Sequence, residues 1–194
     1  FYFGLILIIA ACVIGFFNFQ KPDAKKIYEE GKALNFSSSN DDKESVLKIT
    51  DISTEPVITV DKGKSYVYIV EYEKEATSKG KEPGYIGLEL TKEDGDKLVA
   101  KADKLQDNPE YIYGTIIYAY RNKSAIKQYS DLITQAFHNY NLLQANPETA
   151  FYFSQTEASS AKRGGLMVAA GLTIAGLVFI GLAFLKRKKV GAAY

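Results

Sequence analysis

Histidine, cysteine and tryptophan are scarce in this chain, and each scarcity removes a class of chemistry. Its 194 residues hold one cysteine, one histidine and no tryptophan. A lone Cys12 excludes an intrachain disulfide and a thiolate metal cluster. A lone His138 has no second imidazole to share a metal with, and as a catalytic base it would need a nucleophile beside it. Asp131, seven residues away, lies two turns along the same helical stripe, too far for direct contact. No G-x-S-x-G, P-loop or HExxH motif is present. An excess of one charge is also missing: 24 Lys and Arg face 23 Asp and Glu, for a net charge of +1. Lys74, Lys79 and Lys81 alternate with Glu73, Glu75 and Glu82, so no basic field forms for nucleic acid. The expectation is a protein with no cofactor, no metal site, no nucleic-acid partner and no catalytic residues.

Long apolar runs are present. Gly164–Leu185 reads GGLMVAAGLTIAGLVFIGLAFL and carries no charge. As a helix it would extend roughly 33 Å, enough to cross the hydrocarbon core of a bilayer. Phe1–Phe19 is a second apolar run. A secretory signal peptide would end in a small-residue cleavage site, and none follows in QKPDAKK. Ile9-Ala10-Ala11-Cys12 resembles a bacterial lipobox, but the residues after Cys12 are apolar rather than a polar tether. A retained helix is therefore expected, giving two transmembrane helices that flank one polar domain. Small residues one turn apart mark candidate packing faces: Ala11 with Gly15, Gly165 with Ala169, and Gly171 with Ala175.

Lys186, Arg187, Lys188 and Lys189 follow the second run and favour a cytoplasmic C-terminus. Two spans then put the domain outside the cell membrane. Lys21, Lys25, Lys26, Lys162 and Arg163 oppose that orientation, because the rule counts cations near span ends.

The expected organisation is a first span at 1–19, a juxtamembrane helix and polar linker at 20–43, a domain at 44–157, a tether at 158–163, a second span at 164–185 and a basic tail at 186–194. Within the domain, strands are expected near Glu44–Ile52, continuing at Val57–Val60, then at Ser65–Glu73, Tyr85–Leu90 and Tyr111–Tyr120. Thr77–Gly84 reads as a loop and Thr91 as a helix cap. A last long helix is expected at Lys123–Leu143, capped by Asn122, and Phe151–Phe153 as a closing edge strand or interfacial aromatics. Gly114 suggests a bulge in its strand. The class is α+β. Three strands, a helix and further strands is also the order of an OB-type barrel; a small open sheet with two helices on one face is the alternative.

Two surface features remain. Tyr66, Tyr68 and Tyr72 alternate along one strand and form a candidate interaction face for a peptide or glycan; tyrosine also fills half-buried sheet positions well. Glu71 and Glu89 could face each other across a sheet, although solvated strand faces commonly carry such residues. In composition and anchor–domain–anchor plan the chain resembles small two-anchor proteins of the Gram-positive bacterial envelope. The functional expectation is a non-catalytic accessory subunit of a membrane protein complex. Its partners would be the bilayer and another integral membrane protein or a second copy. The alternative is an extracytoplasmic sensor or binding module using the tyrosine face.

Overall fold

A computed structural model describes the backbone at residues 2–19, 22–74, 83–121 and 124–191, with side chains at all of these except 17–19, 158–164 and 184–191. The chain divides into two compact units, residues 22–159 and the pair of segments 1–21 and 160–194. In chain order the elements are α1 (Tyr2–Phe19), α2 (Ala24–Glu29), β1 (Glu44–Ile52), β2 (Ile58–Val60), β3 (Ser65–Glu73), β4 (Pro83–Leu90), α3 (Lys92–Val99), β5 (Glu110–Tyr118), α4 (Tyr129–Asn139), β6 (Phe151–Ser154) and α5 (Gln155–Gly191).

The domain is α+β and its sheet closes. β5, β6, β4 and β3 follow β1 around the ring, and β3 pairs back onto β1, giving a barrel of five strands with β2 as a sixth on β3. β1 makes closure possible by serving two neighbours. Glu44–Ile49 pairs with β5, and Ile49–Ile52 pairs with β3 across a register shift at Thr50. A bulge there bends the strand through the barrel corner. The other pairings are antiparallel except β4 with β6.

Alternation along the strands sorts the apolar residues into two cores. Tyr68, Val70, Tyr72, Ile86, Leu88, Leu90, Ile116 and Phe153 fill the barrel, and Leu98 of α3 with Leu105 plugs one end. The opposite faces of the same strands carry Val67, Ile69, Ile117 and Tyr152, covered by Ile126, Tyr129, Ile133 and Phe137. Strands buried on both faces carry near-continuous apolar runs, as YVYIV within β3 does.

Local signals set several boundaries. Asp23 caps α2, its carboxylate accepting from the Lys26 amide at 3.1 Å, and Gly31 at φ +66° follows its end. Thr91 caps α3: its hydroxyl accepts from the Asp94 amide at 3.2 Å and donates to the Asp94 carboxylate at 2.8 Å.

Other expectations are corrected. The strand through Gly114 stays in register with β1 and has no bulge. The glycine is there for clearance, because a Cβ would sit 2.5 Å from the Phe153 ring. β6 is not an edge: it lies between β5 and β4 and is buried along its whole length. α4 is shorter than its apolar pattern, because Gln128 takes a left-handed φ of +60° immediately before it. Residues 158–163, expected as a tether, are helical within α5. Asn122 and residues 77–82 of the expected loop lie outside the described residues, while Pro83 and Gly84 begin β4.

In the other unit, α1 meets α5 antiparallel at two glycines. A Cβ on Gly4 would lie 2.6 Å from the Gly176 carbonyl oxygen, and one on Gly176 would lie 2.7 Å from that of Gly4. Gly4 also faces Ile180, and Gly176 faces Ile8. Phe3 and Phe179 stack edge to face at 5.2 Å. Seven residues further along each helix, Ala11 and Ala169 are buried as well. Among the described residues, Gly165–Ala183 is long and apolar enough to cross a membrane, and Tyr2–Phe16 is a shorter apolar helix.

Candidate functional site

The outer face of β3, β4 and β6 is sealed by α4. Tyr129 anchors it: its hydroxyl accepts from the Gly87 amide at 3.0 Å. A Cβ on Gly87 would lie 2.4 Å from that oxygen, so glycine is required for the approach. Burial holds the Tyr129 phenol well above its ordinary range. Beside it Glu89 is 3% exposed and accepts from Ser65 Oγ at 2.5 Å and Ser154 Oγ at 2.7 Å. Glu89 is thus a hydrogen-bonded interior acid rather than a solvated one. It does not face Glu71 either: Glu89 is opposite Val67 and Glu71 is opposite Tyr85.

Further along this wall an open groove of about 610 Å³ lies between the segment after β1, the turn at Ala102–Asp107 and the residues following α4. Its floor is apolar, with Ile52, Ile69, Ala102 and Leu142, and two rings stand in it, Tyr85 and the exposed Tyr140. Four carboxylates line it: Asp51, Glu71, Asp103 and Asp107. Glu71 is fixed by two donors, Thr50 Oγ1 at 2.9 Å and the Tyr85 hydroxyl at 2.8 Å. Burial, the bond to Glu71 and the nearby Asp51 push the Tyr85 phenol up to about 12. Among the described residues, no Lys or Arg lines this groove and none of the four carboxylates is in an ion pair.

A second groove of about 420 Å³ borders Tyr28, Phe36 and Tyr72 and behaves differently. There Lys48 and Glu73, both largely covered, pair at 2.6 Å, so its charge is neutralised internally. The acidic pair Asp41 and Asp42 is likewise satisfied from within: both pair with Arg121, and Asp41 also accepts from the Tyr118 amide at 2.7 Å.

The sequence-derived candidates fare unevenly. Tyr68 and Tyr72 are buried in the barrel and Tyr66 packs partly buried against the same core, so this stripe presents no open aromatic face. Their alternation points inward because closure turns that face of β3 into the interior. In the helix pair, Ala11 and Ala169 lie on the seam and Gly165 and Ala175 are half-buried. Gly15 and Gly171 have nothing within 4 Å of a would-be Cβ. Gly4 and Gly176, the closest approach, were missed. Their signal in the sequence is a seven-residue spacing of small residues (Gly4 to Ala11, Ala169 to Gly176), the repeat of a helix seam, rather than a four-residue spacing. The side chains of Lys186, Arg187, Lys188 and Lys189 lie outside the described residues. His138 is exposed on α4, and no group of three or more metal-ligating side chains gathers among the described residues. No family model, curated protein or solved structure matches the chain.

Proposed function

We propose that this protein is a non-catalytic, membrane-anchored accessory subunit of a bacterial envelope complex, with two spans, an extracytoplasmic barrel and a cytoplasmic C-terminus. One observation carries the reading: the helix pair is packed inside out. Gly4, Ala11, Ala169 and Gly176 form its seam, while Ile6, Ile9, Phe16, Met167, Ile174, Leu177 and Leu182 point outward and are exposed. Water would drive the large side chains inward. Lipid, or the helices of a membrane partner, gives them no reason to turn in and leaves close backbone packing to hold the pair. That pattern supports counting α1 as a second span beside Gly165–Ala183.

The barrel is read as OB-type. Three antiparallel barrel strands (β1, β3, β4) precede α3, and the two that follow close the ring with a parallel pairing of β4 to β6. OB-type barrels commonly bind oligonucleotides or oligosaccharides on the face of their second and third strands. Here α4 fills that face, which favours a docking role over nucleic-acid binding. The acids considered for catalysis support a non-enzymatic reading: Glu89 is sealed and Glu71 is held by Thr50 and Tyr85.

Solubilisation of native membranes followed by purification and mass measurement tests this. The expected result is a second integral membrane protein or a second copy in the complex; a lone monomer would remove the accessory reading. Cysteines introduced at Asp103 in a Cys12→Ser background should label in intact cells with an impermeant maleimide. Labelling only after lysis would reverse the orientation.

A further inference from the structure

We infer that the groove between the segment after β1, the Ala102–Asp107 turn and the end of α4 is a docking site for a lysine- or arginine-bearing peptide segment of a partner protein. The inference deepens the accessory-subunit reading and rests on its claim that the barrel is a docking piece. Three features converge on this occupant.

The first is shape and floor. The groove is open, about 610 Å³ in volume, and Ile52, Ile69, Ala102 and Leu142 give it an apolar bed. Lysine and arginine lay their aliphatic stems along such beds while the charged head reaches a polar rim.

The second is the rim. Among the described residues, Asp51, Glu71, Asp103 and Asp107 stand around that bed without a cation of their own. Several acids elsewhere pair within the chain: Glu73 with Lys48, Glu110 with Lys101, Asp41 and Asp42 with Arg121, Glu93 with Lys97. In a chain of near-zero net charge, four unpaired acids on one groove are a local imbalance that an external cation would complete.

The third is the pair of tyrosines. Tyr85 is fixed by its bond to Glu71, and Tyr140, also lining the groove, is 46% exposed. Ring faces beside carboxylates attract ammonium and guanidinium groups. A bare metal ion is a poorer occupant, because no three of these side chains converge as ligands among the described residues. Nucleic acid has the wrong sign.

The test uses the full chain in nanodiscs of uncharged phosphatidylcholine, so that a cationic probe has no anionic lipid to bind. The probe is a fluorescent pentapeptide of alternating lysine and leucine, read by anisotropy. Binding is expected to weaken several-fold when salt rises from about 0.05 M to about 0.5 M. Asp103→Asn with Asp107→Asn, two exposed acids with no structural bond, is expected to weaken it roughly tenfold, and Tyr140→Ala to weaken it further. Glu29→Gln with Glu93→Gln, exposed acids elsewhere, is expected to leave it unchanged. Unaltered urea midpoints keep a folding defect from imitating a binding loss.

No binding, equal loss in the control variant, or equal binding of a glutamate–leucine pentapeptide would overturn the inference. So would displacement by spermidine or magnesium at concentrations matching the peptide's, which would assign the groove to a free cation. If a partner co-purifies and these variants leave the complex intact, the groove inference falls while the accessory reading stands. Peptide binding with no co-purifying partner gives the reverse.

Discussion

Gly95 sits in the middle of α3, where helix propensity alone would favour alanine by about 1 kcal/mol. The structure reverses that sign. An added Cβ would lie 2.5 Å from Tyr68 Cε2, 2.6 Å from its hydroxyl oxygen and 2.7 Å from Cζ. Ordinary contact is about 3.5–4.0 Å, so the ring would have to retreat by roughly 1 Å. Tyr68 is 2% exposed inside the barrel and has nowhere to go. Overpacking of this kind costs about 1–3 kcal/mol. Gly95→Ala should therefore lose about 1 kcal/mol net. In a Tyr68→Leu background the obstructing ring atoms are gone, and the same change should gain about 0.5–1 kcal/mol. The coupling between the two sites comes to about 2 kcal/mol, well above the ~0.5 kcal/mol at which distant sites add. Urea titration of the detergent-solubilised chain, followed by near-ultraviolet tyrosine circular dichroism, reads this as a midpoint shift of about 0.5 M per kcal/mol. If Gly95→Ala stabilises in both backgrounds, Tyr68 is not confined by α3 and its assignment to the barrel interior is refuted.

Three further outcomes follow from the geometry. Cysteines replacing Phe3 and Phe179, in a Cys12→Ser background, should cross-link within one chain, and Gly176→Leu should abolish the cross-link because the helices cannot approach past a side chain; persistence of the cross-link would contradict the glycine seam. Glu89→Leu should cost about 2–3 kcal/mol by stranding the buried Ser65 hydroxyl, and adding Ser65→Ala should recover at least about 1 kcal/mol of it, both read as urea midpoints; equal losses in the single and double variants would argue against that network. At alkaline pH, Tyr85 and Tyr152 have folded-state values pushed up to about 12, chiefly by burial. The folded state thus holds these protons more tightly than the unfolded chain, whose phenols ionise near pH 10. The stability they contribute is complete below pH 10 and is lost as pH rises through 12. Absorbance at ~295 nm should show these two phenols ionising late, and a fold indifferent to pH between 10 and 12 would refute it.

The strands, their turns and the α+β class were legible because they are local. Alternation in SYVYIVEYE, the Thr91 cap and the apolar stripe of α4 depend on neighbours within a few residues. The apolar runs at both ends were legible for the same reason, since length and absence of charge need no fold to be read. The barrel was visible only as an order of elements.

What the tertiary structure alone decided is which way each face points. Alternation says that Tyr66, Tyr68 and Tyr72 share a side of β3; it does not say that closure makes that side the interior. Nor could it say that the opposite side, with Glu89, would be sealed by a helix arriving from forty residues away. Gly114 and Gly87 are glycines because Phe153 and Tyr129 come close to them, and such contacts across the sheet leave no trace in the adjacent sequence. The acidic groove is of the same kind. Its four carboxylates come from three separated stretches of chain, and only the folded backbone brings them to one rim with no Lys or Arg beside them among the described residues.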